Sequence, residues 1–163
     1  MTQQITVRKY QPEDAQALAH IYFNTIHLIN SKDYTKEQVD VWAPTTSLEG
    51  EKWSKKFLRT NPFVAVVGSE IVGFAEFEPN GHIDCFYCHH EWIGKGVGSA
   101  LMLKIHEEAR QQKIDRIFSE VSITAKSFFE RYGFTTICEQ MISRNGVELI
   151  NYKMEKFLGK NLD

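Results

Sequence analysis

The pattern of apolar and polar positions predicts helices in the first third of the chain and mostly strands after it. Residues 5–10 alternate apolar and polar side chains as a strand does, whereas the segments after them repeat apolar residues every three to four positions, as amphipathic helices do. We predict strands at residues 5–10, 63–67, 71–77, 82–88, 116–121, 136–143 and 147–155, and helices at residues 12–26, 35–43, 51–59, 97–110 and 125–132.

Turn sequences between the predicted strands indicate how the strands pair. Gly68-Ser69 and Pro79-Asn80-Gly81 join three consecutive strands, which predicts an antiparallel meander. The strand at 116–121 follows a strand and a crossover helix, which favours parallel pairing with residues 82–88. The predicted fold class is therefore mixed α/β (α+β), with a mostly antiparallel central sheet, flanking helices and one β-α-β unit.

Composition and charge narrow the classes of protein to consider. The chain has 163 residues, of which 42% are hydrophobic and 25% charged, and we predict a single domain over residues 1–163. The net charge of −2 gives no global basic field for nucleic acid or an anionic membrane, and neither is predicted as a partner. No apolar run is long enough for a membrane span or resembles a signal peptide, so the cytoplasm is the expected location.

The cysteines raise the question of a metal or haem site. Cys85, Cys88 and His89 match the C-x-x-C-H pattern of haem attachment and the start of a zinc knuckle. The segment reads as a strand, however, and residues three apart on a strand point to opposite faces. No second ligand pair follows at zinc-site spacing, so we predict free thiols and no metal.

A glycine-rich loop between a strand and a helix carries the strongest chemical signal. Gly94, Gly96 and Gly98 precede an amphipathic helix, and this order leaves free backbone N–H groups at the helix N-terminus, which bind phosphates well. Lys95 adds positive charge at the rim. The loop lacks the Gly-Lys-Ser/Thr ending of a P-loop and the G-x-G-x-x-G spacing of a dinucleotide site.

Three separated segments resemble the GNAT N-acetyltransferase superfamily. Residues 93–98, Ile-Gly-Lys-Gly-Val-Gly, are similar to the family's acetyl-CoA motif, commonly written Q/R-x-x-G-x-G/A. Residues 125–134 look like its second motif, a short helix that ends in Gly-Phe. The opening around Arg8, Pro12, Glu13 and Asp14 is similar to its first strand and helix. The resemblance covers residues 5–154 and implies that the strand pair 82–88 and 116–121 starts parallel and then splays.

The resemblance also implies a cofactor, a reaction and a set of binding residues. Acetyl-CoA would be the acyl-donor cosubstrate, and a primary amine of a small molecule, peptide or protein would attack its thioester directly. The pantetheine arm would pair with the backbone of the splayed strand, and the pyrophosphate would bind the loop. The implied cofactor-binding residues are Phe86, Tyr87, Cys88, Ile93, Gly94, Lys95, Gly96, Val97, Gly98, Ser99 and Phe129.

Two positions depart from the family pattern. Ile93 stands where the motif usually has Gln or Arg, so its side chain cannot hydrogen-bond the phosphates. Phe129 stands where many members carry a Tyr that protonates the departing thiolate. These departures support an alternative, a non-catalytic module of the same fold that binds acyl-CoA. A nucleotide-binding protein is a further alternative, for which ATP would compete with coenzyme A.

A base must deprotonate the amine before it attacks, and three residues are predicted for this role. His82 occupies the place where some family members have a Glu, and a histidine titrates near neutral pH. Asp84 would share its face of the strand, and Glu76 lies on the preceding strand. Glu120 is a fourth candidate, although exposed surface charge is its simpler interpretation.

The acceptor is expected against the helices of residues 22–57, where Tyr22, His27, Tyr34 and Trp42 could form a wall. This composition is aromatic and has no dense acidic cluster, so it does not favour a strongly polycationic acceptor. The last two strands, around Asn145-Gly146, leave a sheet edge that could pair in a homodimer.

Overall fold

The computed structural model describes residues 4–159, so the outermost residues of the predicted domain, 1–3 and 160–163, lie outside the described residues. Its strands are β1 (Thr6–Lys9), β2 (Phe63–Val67), β3 (Glu70–Phe77), β4 (His82–Cys88), β5 (Arg116–Ser122), β6 (Thr135–Arg144) and β7 (Val147–Phe157). Its α-helices are α1 (Ala15–Leu28), α2 (Lys36–Trp42), α3 (Gly50–Thr60), α4 (Val97–Gln111) and α5 (Lys126–Arg131).

The strands form one seven-stranded sheet in the order β1-β2-β3-β4-β5-β7-β6. Strands β2, β3 and β4 pair antiparallel, which confirms the predicted meander. Strands β4 and β5 pair parallel, which confirms the prediction made from the crossover helix between them. The mixed α/β fold class is therefore correct, although the sequence did not indicate that β7 would insert between β5 and β6.

Two apolar clusters cover the two faces of the sheet. One cluster packs the apolar stripe of α4, including Val97, Leu101 and Ile105, against the sheet together with α5. The other packs α1 and α3, through residues such as Leu18 and Phe57, against the opposite face. The sheet therefore lies between α4 and α5 on one face and α1 and α3 on the other.

The first helix starts later than predicted. Pro12, Glu13 and Asp14 form a separate 3-10 turn, and α1 begins only at Ala15. The Asp14 carboxylate is buried and accepts two hydrogen bonds from Arg8, at 2.7 and 3.0 Å, which fixes the chain between β1 and α1. The residues of the family-like opening thus serve a structural role at this end of the fold.

Strand β6 forms one edge of the sheet and is largely exposed. Ile137 and Met141 on this strand expose 50% and 58% of their surface.

None of the helices within residues 4–159 has both the length and the apolar character required to cross a membrane.

Candidate active site

The parallel pairing of β4 and β5 is limited to the first residues of the two strands. His82 pairs with Phe118 and Ile83 with Ser119, and the Ser119 hydroxyl donates a 2.7 Å hydrogen bond to the Ile83 carbonyl. Beyond this point the register holds no further β4–β5 pairs, so the strands diverge as the resemblance implied. The divergence leaves a wedge that opens between the two strands.

Two clefts meet at this wedge. Both have volumes close to 450 Å³, a size that suits small-molecule sites, and both include Tyr87 and Ser122 in their walls. We call the cleft beside α4 and α5 the cofactor cleft, and the cleft beside α2 and α3 the acceptor cleft. The shared residues place the junction of the clefts at the ends of β4 and β5.

The cofactor cleft contains most of the predicted cofactor residues. Thr25 and Asn30 of the first helical region, Trp92 and Phe128 also line it, and the sequence had not indicated them. The predicted residues in its wall are Phe86, Tyr87, Cys88, Ile93, Gly94, Gly96, Gly98 and Ser99.

The glycine loop holds an uncapped helix N-terminus. Gly94 and Gly96 have φ values of 76° and 92°, which a residue with a side chain adopts only with strain. Gly96 is the N-cap of α4, with no side-chain cap, and its carbonyl accepts the first helical hydrogen bond, from the Ala100 N–H at 3.0 Å. The three intervening N–H groups, at residues 97–99, therefore have no partner within the helix and are available to an anion.

Three predicted cofactor residues do not line the cleft through their side chains. Val97 is buried in the core, and the Lys95 ammonium lies 5.3 Å from the centre of the Trp92 ring. Phe129 is 2% exposed and packs edge-on against Phe86, with 5.6 Å between ring centres. Its neighbour Phe128 lines the cleft instead, so the structure favours Phe129 as a support for the β4 wall rather than as a direct contact.

Aromatic side chains dominate the wall of the acceptor cleft. The predicted wall residues Tyr22, Tyr34 and Trp42 are present. His27 is not, because its Nε2 lies 2.7 Å from the Ala43 carbonyl. The polar and charged residues of the cleft are Lys56, Asp84, Glu120, Ser122, Gln140, Arg144 and Asn151.

Lys56 joins the acidic residues at one end of the acceptor cleft. Its ammonium lies 2.9 Å from the Glu76 carboxylate, 3.0 Å from Asp84 and 3.8 Å from the Cys85 sulfur. Burial alone would lower the pKa of Lys56, but its acidic neighbours Cys85, Glu76 and Asp84 raise it, so the side chain stays charged. Glu76, Asp84 and Cys85 lie close enough together to ligate a metal, and Lys56 supplies positive charge among them.

Glu76 and Asp84 differ in their access to a substrate. Glu76 is fully buried, is not in the wall of either cleft and accepts a 2.5 Å hydrogen bond from Thr60. The Asp84 side chain is 41% exposed and faces the acceptor cleft. Of these two predicted bases, only Asp84 is placed to reach an acceptor directly, whereas Glu76 fixes Lys56.

His82 lies between two carboxylates. Its Nδ1 is 2.7 Å from Glu78, and its Nε2 is 3.0 Å from Glu120. The hydrogen bond to Glu120 outweighs partial burial and, with that to Glu78, raises the pKa of His82 to about 9. The imidazole is therefore a cation at neutral pH, which weighs against its predicted role as a base and makes it the counter-ion of Glu120.

Ser122 lies at the junction of the clefts. Its Oγ accepts hydrogen bonds from the Ala125 N–H at 3.1 Å and from the Asn30 amide at 3.5 Å, which leaves its own proton free to donate. Asn30 is itself buried. A buried amide that orients a hydroxyl at the open end of the wedge has no sequence signature, because it depends on a contact between residues 92 positions apart.

Lys56 and Arg144 are the charged cleft residues that the sequence interpretation missed. A signal for Lys56 did exist, since it shares the apolar stripe of α3 with Trp53 and Phe57. A lysine on such a stripe often pairs with a buried carboxylate. Arg144 precedes a turn and resembles an ordinary surface residue until the sheet order is known.

Comparison with known proteins supports the same class of protein as the fold and the clefts. The model of the acetyltransferase (GNAT) domain family matches residues 30–156, and the chain belongs to this family. It is 31% identical over 150 residues to a protein described as uncharacterized N-acetyltransferase YafP of Escherichia coli K12, covering 92% of this chain and 94% of that protein. The protein is accordingly an acyltransferase of the GNAT superfamily.

Solved structures of the same fold include two instructive neighbours. A GCN5-related N-acetyltransferase from Rhodopseudomonas palustris superposes with a TM-score of 0.89 at 28% identity, covering 97% of this chain and 99% of that one. The PaiA N-acetyltransferase of Thermoplasma acidophilum, solved with coenzyme A, has a TM-score of 0.76 at 19% identity and covers 95% of this chain and 99% of that one.

Proposed function

We propose that the protein transfers the acetyl group of acetyl-CoA to a primary amine bound in the acceptor cleft, by direct attack of the amine on the thioester. One observation carries this proposal: a cleft that begins at an uncapped helix N-terminus meets an aromatic second cleft at the open wedge between β4 and β5. The first cleft suits a phosphorylated donor, and the second suits a small acceptor or the end of a peptide.

The donor would lie along the cofactor cleft. Its pyrophosphate would accept hydrogen bonds from the N–H groups of residues 97–99, which compensates for the apolar side chain of Ile93. Its pantetheine arm would extend along the backbone of Phe86, Tyr87 and Cys88, toward the junction at Ser122. The solved complex of the Thermoplasma acidophilum relative with coenzyme A supports this choice of cofactor.

Asp84 is the group that we assign to the removal of the amine proton. The acceptor enters as an ammonium ion, and Asp84 takes its proton directly or through one water, which frees the nitrogen lone pair. Lys56 holds the carboxylate in place at 3.0 Å, and buried Glu76 holds Lys56. The amine nitrogen then bonds to the thioester carbon and gives its second ammonium proton to solvent, and collapse of the tetrahedral intermediate breaks the C–S bond, so that the electron pair leaves with the sulfur.

The leaving thiolate needs a hydrogen-bond donor, and Phe129 cannot supply one. Ser122 lies at the junction of the clefts with an uncommitted hydroxyl proton, so we assign it to stabilise the thiolate as the C–S bond breaks. Solvent can then complete the protonation of the sulfur. This arrangement lets the reaction proceed without the tyrosine that many family members carry.

The experiment that tests this function follows thiol release from acetyl-CoA over a panel of primary amines. Asp84→Asn should lower kcat by roughly 10²–10⁴-fold, the usual contribution of a positioned base, while acetyl-CoA binding in calorimetry is retained. Asp115→Asn, in an exposed loop outside both clefts, is the matched control and should behave as wild type. If kcat fell strongly in His82→Gln and stayed unchanged in Asp84→Asn, the role of base would belong to His82.

Two other results would overturn the proposal. Tight acetyl-CoA binding without turnover on any amine would indicate the non-catalytic acyl-CoA module. Competition of ATP with coenzyme A at similar affinity would indicate a general nucleotide site instead.

A homodimer through the β6 edge is a further part of the proposal. The strand offers an unpaired backbone edge with Ile137 and Met141 exposed beside it. Sedimentation at micromolar concentration should show a dimer that Ile137→Lys weakens. A monomer at all concentrations would contradict this part and leave the catalytic proposal intact.

A further inference from the structure

The charged groups of the acceptor cleft are paired, with one exception. Lys56 lies between Glu76 and Asp84, and Glu120 lies against the His82 cation. Arg144 also lines the cleft, but within residues 4–159 it forms no ion pair. Its side chain is exposed and lines the wall of a concave site, so its guanidinium is a cation without a counter-ion among these residues.

Arg144 lies on the same face of β6 as Gln140 and Ile142, which also line the cleft. Arg144 is the last residue of β6 and precedes the tight turn into β7. Strand β7 lies between β6 and β5 in the sheet. Burial raises the pKa of Tyr22 to about 12, and the charge of Arg144 partly opposes this shift. Tyr22 from α1 and Arg144 from β6 line the same cleft.

The cleft offers opposite charges on different walls. Asp84 and Glu120 lie on β4 and β5, whereas Arg144 lies on β6. Aromatic side chains fill much of the wall around them, including Tyr22, Trp42 and Trp53. A guanidinium binds a carboxylate through two parallel hydrogen bonds, and aromatic walls suit a planar apolar body.

We propose that Arg144 binds the carboxylate of the acceptor, so that the acetylated amine belongs to an aromatic amino carboxylate. This inference rests on the proposed function, because it names the class of amine that the acceptor cleft takes. The ammonium of such a molecule would approach Asp84, its ring would pack on the aromatic wall, and its carboxylate would supply the counter-ion that Arg144 lacks.

Pairs of amines that differ only in the carboxylate test this inference. Phenylalanine with phenethylamine, tyrosine with tyramine, and 4-(aminomethyl)benzoate with benzylamine cover short and long separations of the two charges. In the wild type, kcat/KM should be higher for the acid in at least one pair. Arg144→Gln should lower the acid-to-amine ratio of kcat/KM roughly tenfold to a hundredfold, as expected for loss of hydrogen bonds to a charged group.

Two further variants serve as a matched control and as a test of the guanidinium geometry. Arg59→Gln, on the exposed face of α3 and outside both clefts, should leave the ratio unchanged. Arg144→Lys keeps the charge but loses the planar fork, so its ratio should fall between those of wild type and Arg144→Gln. An equal ratio in wild type and Arg144→Gln, or a preference for the decarboxylated partner in every pair, would overturn the inference.

A binding measurement separates this inference from the proposed function. Titration of the N-acetylated acids at saturating coenzyme A, followed by tryptophan fluorescence, reports occupation of the cleft without turnover. Trp42 and Trp53 line the acceptor cleft, whereas Trp92 lines the cofactor cleft, which coenzyme A keeps filled throughout. Binding that is lost in Arg144→Gln supports the carboxylate site even if no amine is acetylated. Turnover of amines with no effect of Arg144→Gln on either readout supports the enzyme and rejects the carboxylate site.

Discussion

Lys56 determines the charge balance at one end of the acceptor cleft. Its ammonium contacts a fully buried carboxylate, Glu76, and the exposed carboxylate of Asp84, so one side chain links the core to the cleft. A buried carboxylate that loses its only cation must either stay charged at a large cost or take up a proton.

Replacement of Lys56 by Met should therefore destabilise the fold by about 3 kcal/mol, because it leaves Glu76 unpaired. The double variant Lys56→Met/Glu76→Gln should recover much of this loss, since it removes both charges. Lys52→Met breaks only an exposed pair with Glu49 and should cost less than about 1 kcal/mol. Urea unfolding measures all three, and equal losses in Lys56→Met and Lys52→Met would refute the assignment.

The raised pKa of His82 predicts how the stability of the fold depends on pH. Its folded pKa of about 9 lies above the unfolded value of 6.5, so the stabilisation is fully present below pH 6.5 and is lost as pH rises through 9. His82→Gln should cost about 1–3 kcal/mol at pH 6 and much less at pH 9.5. Urea unfolding of both proteins at the two pH values tests this. If the difference in unfolding free energy between wild type and His82→Gln grew with pH, His82 would be neutral in the folded protein.

The loop between β4 and α4 is the element whose structure follows most directly from its sequence. The strand at 82–88 and the helix start at Val97 agree with the sequence prediction, because the glycines mark the boundary between them. The backbone of Gly96 adopts φ 92°, and a Cβ there would make only an ordinary 3.7 Å contact with Ile5. Any effect of a side chain at Gly96 would thus come from the backbone itself.

Gly96→Ala should weaken coenzyme A binding by about tenfold or more, because relief of the backbone strain turns the N–H groups of residues 97–99 away from the pyrophosphate. Gly68→Ala is the matched control: Gly68 also has a positive φ, of 60°, with nothing within 4 Å of its Cβ position, but it lies in the β2–β3 turn. Both variants should lose similar stability, and calorimetry should show weaker binding only in Gly96→Ala. Equal affinities would contradict the pyrophosphate site.

Local pattern thus predicts the elements and the cofactor loop, but not the acceptor cleft. The alternation of apolar and polar residues, the turn residues and the glycines are patterns that extend over only a few positions. They predict β2, β4 and the start of α4 correctly. The acceptor cleft instead assembles Lys56 from α3, Asp84 from β4 and Arg144 from β6. The position of Arg144 depends on the insertion of β7 beside β5, and that of Lys56 depends on the packing of α3 against the sheet. Neither long-range contact leaves a local signal in the sequence.

The fold as a unit brings the cofactor cleft and the acceptor cleft to one wedge, with Tyr87 and Ser122 common to both. The pairing of β4 with β5 ends at Ile83, and helices pack on both faces of the sheet. The direct transfer that we propose requires this continuity, because the amine would have to reach the thioester without the acetyl group leaving the protein.

A crystal structure of the complex with acetyl-CoA tests this continuity most directly. We predict that the pyrophosphate lies on the N–H groups of residues 97–99, that the pantetheine arm follows the backbone of residues 86–88, and that the thioester lies within hydrogen-bond reach of Ser122 and open to the acceptor cleft. Acetyl-CoA bound elsewhere, or with its thioester closed off from the acceptor cleft, would contradict the account.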